Sequence, residues 1–357
     1  MLRPYHVTNL NPMTEQTTSI APQTRLQYIV GVFYFAFRAL VGAYALTVFL
    51  SLLVHFFLDE TVSDVVGLTN SIIHFTTMGA TILLPISLIL RRRDLALMLL
   101  PSAIFWLVWA VPLFLPKNAP QTPENATEIT IFTYNLLAGM EYPDDIRRII
   151  TEADADIVVL QELNTITAQM LQREMRDDYP YMELHPGGIP GVGIISRYEL
   201  ADCILWKEVF QHQRCAVSIG DETVILYNVH PMSPLTTDGF NRRRRDLTAI
   251  LARISADVGA GQTVIAAGDW NMTPLSDGYA QVRAYLNDSY ADVGYGLGFT
   301  YRLHNLGRIP LLGGRGLPVV RIDYVFYTAP LIAQEAQVWH ENGLSDHIPL
   351  RVKLALP

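Results

Sequence analysis

Cysteine is nearly absent from this chain: 357 residues hold only Cys203 and Cys215. CxxC pairs and clustered Cys/His spacings are missing, which argues against a thiolate zinc site. The two cysteines fall on stretches that read as neighbouring strands. They either bridge in an oxidising compartment or serve as small buried hydrophobes. Charge is sparse as well, at 17% of residues, and the basic sign is the scarcer: 26 Lys and Arg face 34 Asp and Glu, for a net −8. Residues 1–116 carry 6 basic and 5 acidic side chains, so the remainder, with 20 and 29, stands at −9. Non-specific nucleic-acid affinity is largely counterion release by Lys and Arg. The acidic C-terminal part therefore weighs against a nucleic-acid partner, which stays as a lesser alternative. Internal repeats and low-complexity segments are also lacking.

Apolar residues are what the chain has in excess, at 50%, and they concentrate in residues 28–116. Three runs, Ala39 to Leu58, Val65 to Leu90 and Leu95 to Leu115, each approach the ~20 residues that cross a bilayer core. They predict a three-helix transmembrane anchor. A cleaved signal peptide would have one shorter run and a small-residue cleavage site. Three spans so poor in charge also disfavour the competing reading, core helices of a soluble domain. Arg3, Arg25 and Arg38 precede or open the first span and Arg91, Arg92 and Arg93 fill the second turn, whereas the first turn carries only Asp59, Glu60 and Asp64. The positive-inside rule then predicts a multi-pass protein of the cell membrane, with a cytoplasmic N-terminus and an extracytoplasmic C-terminal domain. Arg38 is expected to snorkel at the cytoplasmic interface near the aromatic segment Tyr28 to Phe37, in preference to an intramembrane role for it or for His74.

Residues 1–27, rich in Thr, Gln, Asn and Pro, read as a disordered cytoplasmic tail. Residues 117–128 read as a linker. Its KNAPQTPENAT stretch reaches about 35 Å even when extended at ~3.1 Å per residue, so the following domain must ride close to the bilayer. From residue 129 to 357, short Ile- and Val-rich runs (ITIFTYN, DIVVLQE, GVGIISR, CILW, CAVSI, TVILYNVH, TVIAAGDW, RIDYVFYT, IPLRVKLAL) alternate with amphipathic stretches near Asp144–Glu152, Thr165–Arg176, Phe240–Ala256 and Asp277–Leu286. About ten strands and few helices imply an α+β domain, a four-layer sandwich of two packed sheets flanked by helices.

Acid, amide and imidazole side chains recur at turn positions beside the apolar strands: Asn135, Glu162, His230, Asp269, Asn271, Asp323 and His347. Phosphate-ester hydrolysis needs a hard cation on oxygen ligands, a positioned water and donors for developing charge. Glu162 with Asn135 suits the cation. Asp269 and Asn271, two apart on an extended chain, share a face, where a carboxylate can orient water and an amide can meet a phosphoryl oxygen. His230 beside Asn228, and His347 beside Asp346, fit charge stabilisation and leaving-group protonation, with Asn228 itself expected to contact substrate. Taken singly, each is more often a turn, cap or core residue. The run Arg242 to Arg245 is read either as a solvated helix face or as a clamp in which Arg242 and Arg245 reach a second phosphate or anionic headgroups.

The strings TYNLL, VVLQEL, GVGIISR, YNVHP, AAGDWNMTP, GFTYR, RIDYVF and LSDHIPL, in this order over residues 129–357, resemble the endonuclease/exonuclease/phosphatase (DNase I-like) superfamily. The resemblance implies a metal-dependent phosphoric ester hydrolase binding Mg²⁺, with Mn²⁺ as the alternative, at Glu162 and Asn135, and with Asp346 as a second metal contact. It further implies phosphate contacts from Asn271 and His230, a nucleophile positioned by Asp269, and His347 facing the scissile phosphate, oriented by Asp323. The chain resembles the bacterial membrane-anchored branch of that superfamily, which includes glycopeptide-resistance-type phosphatases. That likeness implies a phosphorylated or pyrophosphate lipid, or another membrane-near phosphate ester, as substrate. An extracytoplasmic nuclease and a non-catalytic binding module remain the alternatives.

Overall fold

The computed structural model describes residues 25–117, 121–138, 142–234, 236–303 and 316–357. The chain divides into two compact units, Met1–Tyr44 and Ala45–Pro357. Of the tail expected over 1–27, residues 1–24 lie outside the described residues, and the last three open a helix. That helix, α1 (Arg25–Phe57), is followed by α2 (Asp64–Ile89), α3 (Arg93–Ala110) and a 3-10 turn (Val111–Phe114). α1 starts well before the expected Ala39, because the aromatic stretch after Tyr28 is itself apolar and the single charge of Arg38 does not break a helix. Ser63 caps α2, its hydroxyl accepting the Val65 N–H at 3.1 Å. All three helices are long and apolar enough to cross a membrane. Val65, Ile82, Ile89, Leu97 and Val108 stand 57–80% exposed on α2 and α3, a surface that water disfavours and lipid tails accommodate.

The rest of the chain runs β1 (Thr127–Asn135), α4 (Pro143–Ala153), β2 (Ile157–Gln161), α5 (Thr165–Glu174), β3 (Tyr181–His185), β4 (Val192–Ser196), β5 (Leu200–Lys207), β6 (Gln211–Ile219) and β7 (Glu222–Val229). It continues through α6 (Thr237–Gly259), β8 (Thr263–Asp269), α7 (Asp277–Arg283), β9 (Asn287–Asp288), α8 (Ser289–Val293), β10 (Tyr301–Leu303), β11 (Leu317–Val320), β12 (Asp323–Tyr327), β13 (Ile332–Val338) and β14 (Leu350–Leu356). Two six-stranded mixed sheets form, in the orders β13-β14-β1-β2-β4-β3 and β5-β6-β7-β8-β12-β9, with β10 and β11 as a separate pair.

Strand alternation builds the layers. Ile129 and Ile131 of β1 face Leu226 of β7 and Ile265 and Ala267 of β8 across the inter-sheet core. Phe132 and Tyr134 point the other way, onto Ile146, Ile149 and Ile150 of α4 and Leu171 of α5. Tyr227, Ala266 and Phe326 likewise bury against Leu247, Ile250 and Ile254 of α6. Strands covered on both faces read as unbroken apolar runs, and the result is the expected four-layer sandwich. The strands that the sequence hid are short or mixed in polarity, such as β3 (YMELH) and β13 (IAQEAQV), where no alternation marks the face. Cys203 and Cys215 are joined, tying β5 to β6.

Polar side chains also span the inter-sheet core, Asn228 chief among them. The fully buried Asn228 amide donates to Leu160 O and Gly193 O at 3.0 Å and to Gln213 Oε1 at 2.9 Å, and its oxygen accepts from Gln161 Nε2 at 2.9 Å. Its hydrogen-bonding capacity is thus spent on joining the sheets. Asn228→Ala strands several of these partners without water, so unfolding of the full chain in detergent is expected to shift by about 2–3 kcal/mol. A midpoint equal to the parent's would contradict this.

Candidate active site

Two parallel strand pairs, β1 with β2 and β7 with β8, run side by side in the two sheets. Their C-terminal ends deliver Asn135, Glu162, His230 and Asp269 to one rim, the end at which open sheets with parallel strands commonly bind ligands. β12 lies antiparallel to β8 with Asp323 directly opposite Asp269. β14 lies antiparallel to β1 with Leu350 opposite Thr133, so the loop before it carries His347 back beside Asn135. Gly268 makes the approach of β7 and β8 feasible: its φ is +144°, and a Cβ there would stand 2.0 Å from Val229 O. Two site residues take the left-handed backbone region that side chains seldom adopt, Glu162 at φ 56° and Asn271 at φ 48°.

The side chains form one network centred on the Asp269 carboxylate. Asn135 Nδ2 donates to Asp269 Oδ2 at 3.1 Å and to Glu162 Oε1 at 3.3 Å. Asn271 donates to Asp269 through its backbone N–H at 2.9 Å and its amide at 3.2 Å, and it donates also to Pro231 O at 3.0 Å. The Nε2 atoms of His230 and His347 each stand 3.6 Å from Asp269 Oδ2. His347 Nδ1 lies 3.0 Å from Asp323 Oδ2, while Thr300 Oγ1 accepts the Ile322 and Asp323 N–H groups at 3.1 Å and fixes that strand end. Glu162 Oε2 accepts from Ala138 N at 2.9 Å.

Sequence reasoning missed several supports. Ser345 Oγ donates to Asn135 O at 2.7 Å and accepts the His347 N–H at 3.0 Å. His212 Nδ1 accepts the His230 N–H at 3.1 Å, which leaves Nε2 to donate to the buried Asp246 at 3.3 Å. Tyr301 bridges to His347 through the backbone and sets its ring 5.2 Å from the imidazole. The string GFTYR was the one sequence signal that pointed towards Thr300 and Tyr301; His212 sits near the start of strand β6 and Asp246 within helix α6, with nothing to mark them. Of the expected substrate contacts, Asn228 is the inter-sheet tie described above. Arg242 pairs with Asp238 at 2.6 Å on a half-exposed helix face, and Arg245 is exposed. Asp346 is half-buried beside His347, and its charge is felt at Glu162.

Burial governs the electrostatics. Desolvation pushes the Asp269 carboxyl well above the usual range, helped by Asp323 and opposed by His347. Burial also raises Glu162. For His347 burial pulls down, but the carboxylates of Asp323, Asp269 and Asp346 outweigh it and keep the ring cationic. His230 falls to about 3 through burial and the charge of His347, so it stays neutral. Its Nδ1 is buried without a hydrogen-bond partner.

Carboxylates crowded into a dry pocket with one imidazolium retain excess negative charge, which a divalent cation would neutralise. Ligand atoms of Asp269, Asp323 and His347 lie within 4.8 Å of one another. The hydrogen bond between Asp323 and His347 leaves Glu162, Asn135 and Asp269 as the oxygen-bearing groups that fit a hard cation. Such an ion would supply Lewis-acid polarisation of a phosphoryl oxygen. Chemically, the arrangement can hold water against Asp269 and offer His347 as a donor to developing charge, with the Asn271 amide available once it turns from Asp269 or Pro231.

Residues 132–347, the stretch that carries these strand-end groups, match the sequence profile of the Endonuclease/Exonuclease/phosphatase family. The chain belongs to that family. Its members are metal-dependent phosphoesterases and nucleases, and the three apolar helices lie outside the matched region. No curated protein matches the chain. Among solved structures it is similar to the endonuclease/exonuclease/phosphatase of Beutenbergia cavernae DSM 12333, with 18% identity and a TM-score of 0.51 over 64% of this chain and 72% of that one. It is also similar to D. rerio TDP2 complexed with single strand DNA product, with 16% identity and a TM-score of 0.51 over 64% and 99%. A third is the Bacteroides vulgatus protein, with 21% identity and a TM-score of 0.50 over 65% and 100%. At these identities the likeness shows the fold.

Two measurements follow from the geometry. Asp323→Asn removes the charge that keeps His347 cationic and aligned, and kcat is expected to fall about 100-fold with KM nearly unchanged; a loss confined to KM would contradict it. The unfolded imidazole of His230 titrates near ~6.5 and the folded one at about 3, so the unfolded chain binds the proton first. The stability that neutral His230 contributes is complete above pH ~6.5 and declines towards pH 3, by about 2 kcal/mol at pH ~5. His230→Gln is expected to flatten that part of the stability profile.

Proposed function

We propose that the protein is a membrane-anchored, Mg²⁺-dependent phosphoesterase that hydrolyses a phosphate or pyrophosphate ester of a lipid-linked substrate on the extracytoplasmic side. One observation carries the lipid reading: three consecutive residues join an apolar helix to the reacting groups. Phe299 lies 5.8 Å from the rings of both His74 and Phe75 of α2, Thr300 holds Asp323, and Tyr301 flanks His347. His74 Nε2 also meets Val319 O at 3.3 Å. His74 comes ten residues after Asp64, about 15 Å down the helix at 1.5 Å per residue. A catalytic domain seated that far along a membrane-crossing helix works at headgroup level, where tethering raises its effective concentration towards lipids.

The orientation has its own support. Glu60 of the acidic α1–α2 turn pairs with Arg243 of the catalytic domain at 3.1 Å, whereas Arg91, Arg92 and Arg93 fill the opposite turn. The positive-inside rule puts that opposite turn in the cytoplasm. The linked cysteines suit an oxidising compartment. In this reading Glu162, Asn135 and one oxygen of Asp269 hold the cation with Asp346 as a second metal contact, the other Asp269 oxygen takes the proton of the attacking water, Asn271 and His230 contact phosphoryl oxygens, and His347 protonates the leaving oxygen.

The full chain in lipid nanodiscs with Mg²⁺ is expected to release phosphate from a polyprenyl pyrophosphate or phospholipid panel and to stop with EDTA. Asp269→Asn is expected to lose at least about 100-fold of that rate while melting normally. Plasmid nicking at comparable efficiency would favour a nuclease, and inertness on every ester would favour a binding module.

A further inference from the structure

The arginine run at the start of α6 contains a side chain that behaves unlike its neighbours. Arg242 pairs with Asp238 and Arg244 with Asn241 on the outer face. Arg243 turns inward and is 5% exposed. Its Nη1 donates to the Asn271 backbone carbonyl at 2.8 Å, and its Nη2 meets Glu60 Oε2 at 3.1 Å. Glu60 belongs to the turn between α1 and α2. That turn is locked to the catalytic domain reciprocally: Glu60 N donates to Asp277 Oδ2 at 2.6 Å, and Asp277 N donates to Glu60 Oε1 at 3.2 Å. Beside it Gly67 of α2 meets the Phe240 ring so closely that a Cβ would stand 2.2 Å from it. The Arg243 guanidinium lies 5.1 Å from the centre of the same ring.

We propose that Arg243 is a positioning residue that makes the geometry of Asn271 depend on how the membrane-helix turn is seated on the catalytic domain. Asn271 is held in a left-handed backbone conformation at φ 48°. Its N–H and amide are tied to Asp269 and Pro231, inside the catalytic domain. Its carbonyl is tied through Arg243 to Glu60. A buried guanidinium needs its counter-charge; when Glu60 moves away, Arg243 must follow the charge or reach for water, and in either case it releases the Asn271 carbonyl. Catalysis is thereby coupled to insertion and seating of the anchor, and a domain detached from its helices would carry a looser Asn271. This rests on Asn271 belonging to the reacting site.

The test uses the full chain in nanodiscs, with Mg²⁺ and a chromogenic aryl phosphodiester, together with hydrogen exchange of the peptide covering residues 268–274. Glu60→Gln is expected to speed exchange in that peptide and to lower kcat about 10-fold with KM little changed, as small misplacements of a reacting group do. Gly67→Val, which pries the seam apart without touching a charge, is expected to do the same. Because the residues act in series, Glu60→Gln combined with Arg243→Met is expected to cost no more than Arg243→Met alone. Arg243→Lys, which can make one of the two contacts, is expected to fall between. If Arg243→Met does not fold, the Glu60 and Gly67 variants decide. Unchanged exchange at 268–274 in both overturns the proposal, as do losses that multiply in the double variant. Absence of hydrolysis by the parent of this ester and of every ester in the lipid panel would sink the phosphoesterase reading, and the exchange measurement would still decide this one.

Discussion

The rim of this sandwich is organised by a desolvated cluster of acids. β8 and β12 pair in a register that sets Asp269 opposite Asp323, both about 1% exposed, with Glu162 arriving from the other sheet. Removing carboxylates from water is costly unless they are paired or neutralised. The surroundings do part of that: His347 becomes a cation between Asp323 and Asp269, and the amides of Asn135 and Asn271 converge on Asp269. What is left over is negative charge on oxygen atoms, the condition under which a hard divalent ion binds and a phosphate ester can follow it in.

Rigidity of that cluster comes from layers the reaction never touches. Asn228 and Gln161 cross-link the sheets immediately behind the rim, so the strand ends that carry Glu162 and His230 keep their spacing. Asp246 collects the N–H groups of Val209 and Met232 and orients His212, which in turn holds the backbone of His230. On the far side, Phe299, Thr300 and Tyr301 carry the influence of α2 into the site within three residues. The apolar helix α2 and the candidate site are thus neighbours, and the proposed lipid reading depends on that proximity more than on any single side chain.

Much of this could be read from the sequence because polar residues that interrupt apolar strands are conspicuous. Asn135, Glu162, Asp269 and Asn271 each end a Val/Ile-rich run or follow one and His347 precedes one; the parallel pairs and the return of β14 then bring them together. Asn228 carries the same signal, since a strand position reveals alternation but not whether a polar side chain faces ligand or the opposing sheet. Which member of the arginine run turns inward was illegible for a related reason: among four consecutive helical residues it depends on the phase set at the Thr236 cap, and it is Arg243 that reaches Asn271. His212 and Asp246, in different elements, become partners only once β6 and α6 are placed. Strands β3, β9, β10, β11 and β13 were lost because short edge strands need neither alternation nor a continuous apolar run.

The claim on which the whole account turns is that Glu162 and Asp269, drawn from two sheets, share one divalent cation. Titration of the full chain in nanodiscs with Mn²⁺, followed by electron paramagnetic resonance of the free ion, tests it without reference to any substrate. The account predicts one tight site per chain, competed by Mg²⁺ and lost in both Glu162→Gln and Asp269→Asn. Binding that survives both substitutions, or no binding at all in the folded parent, would contradict it.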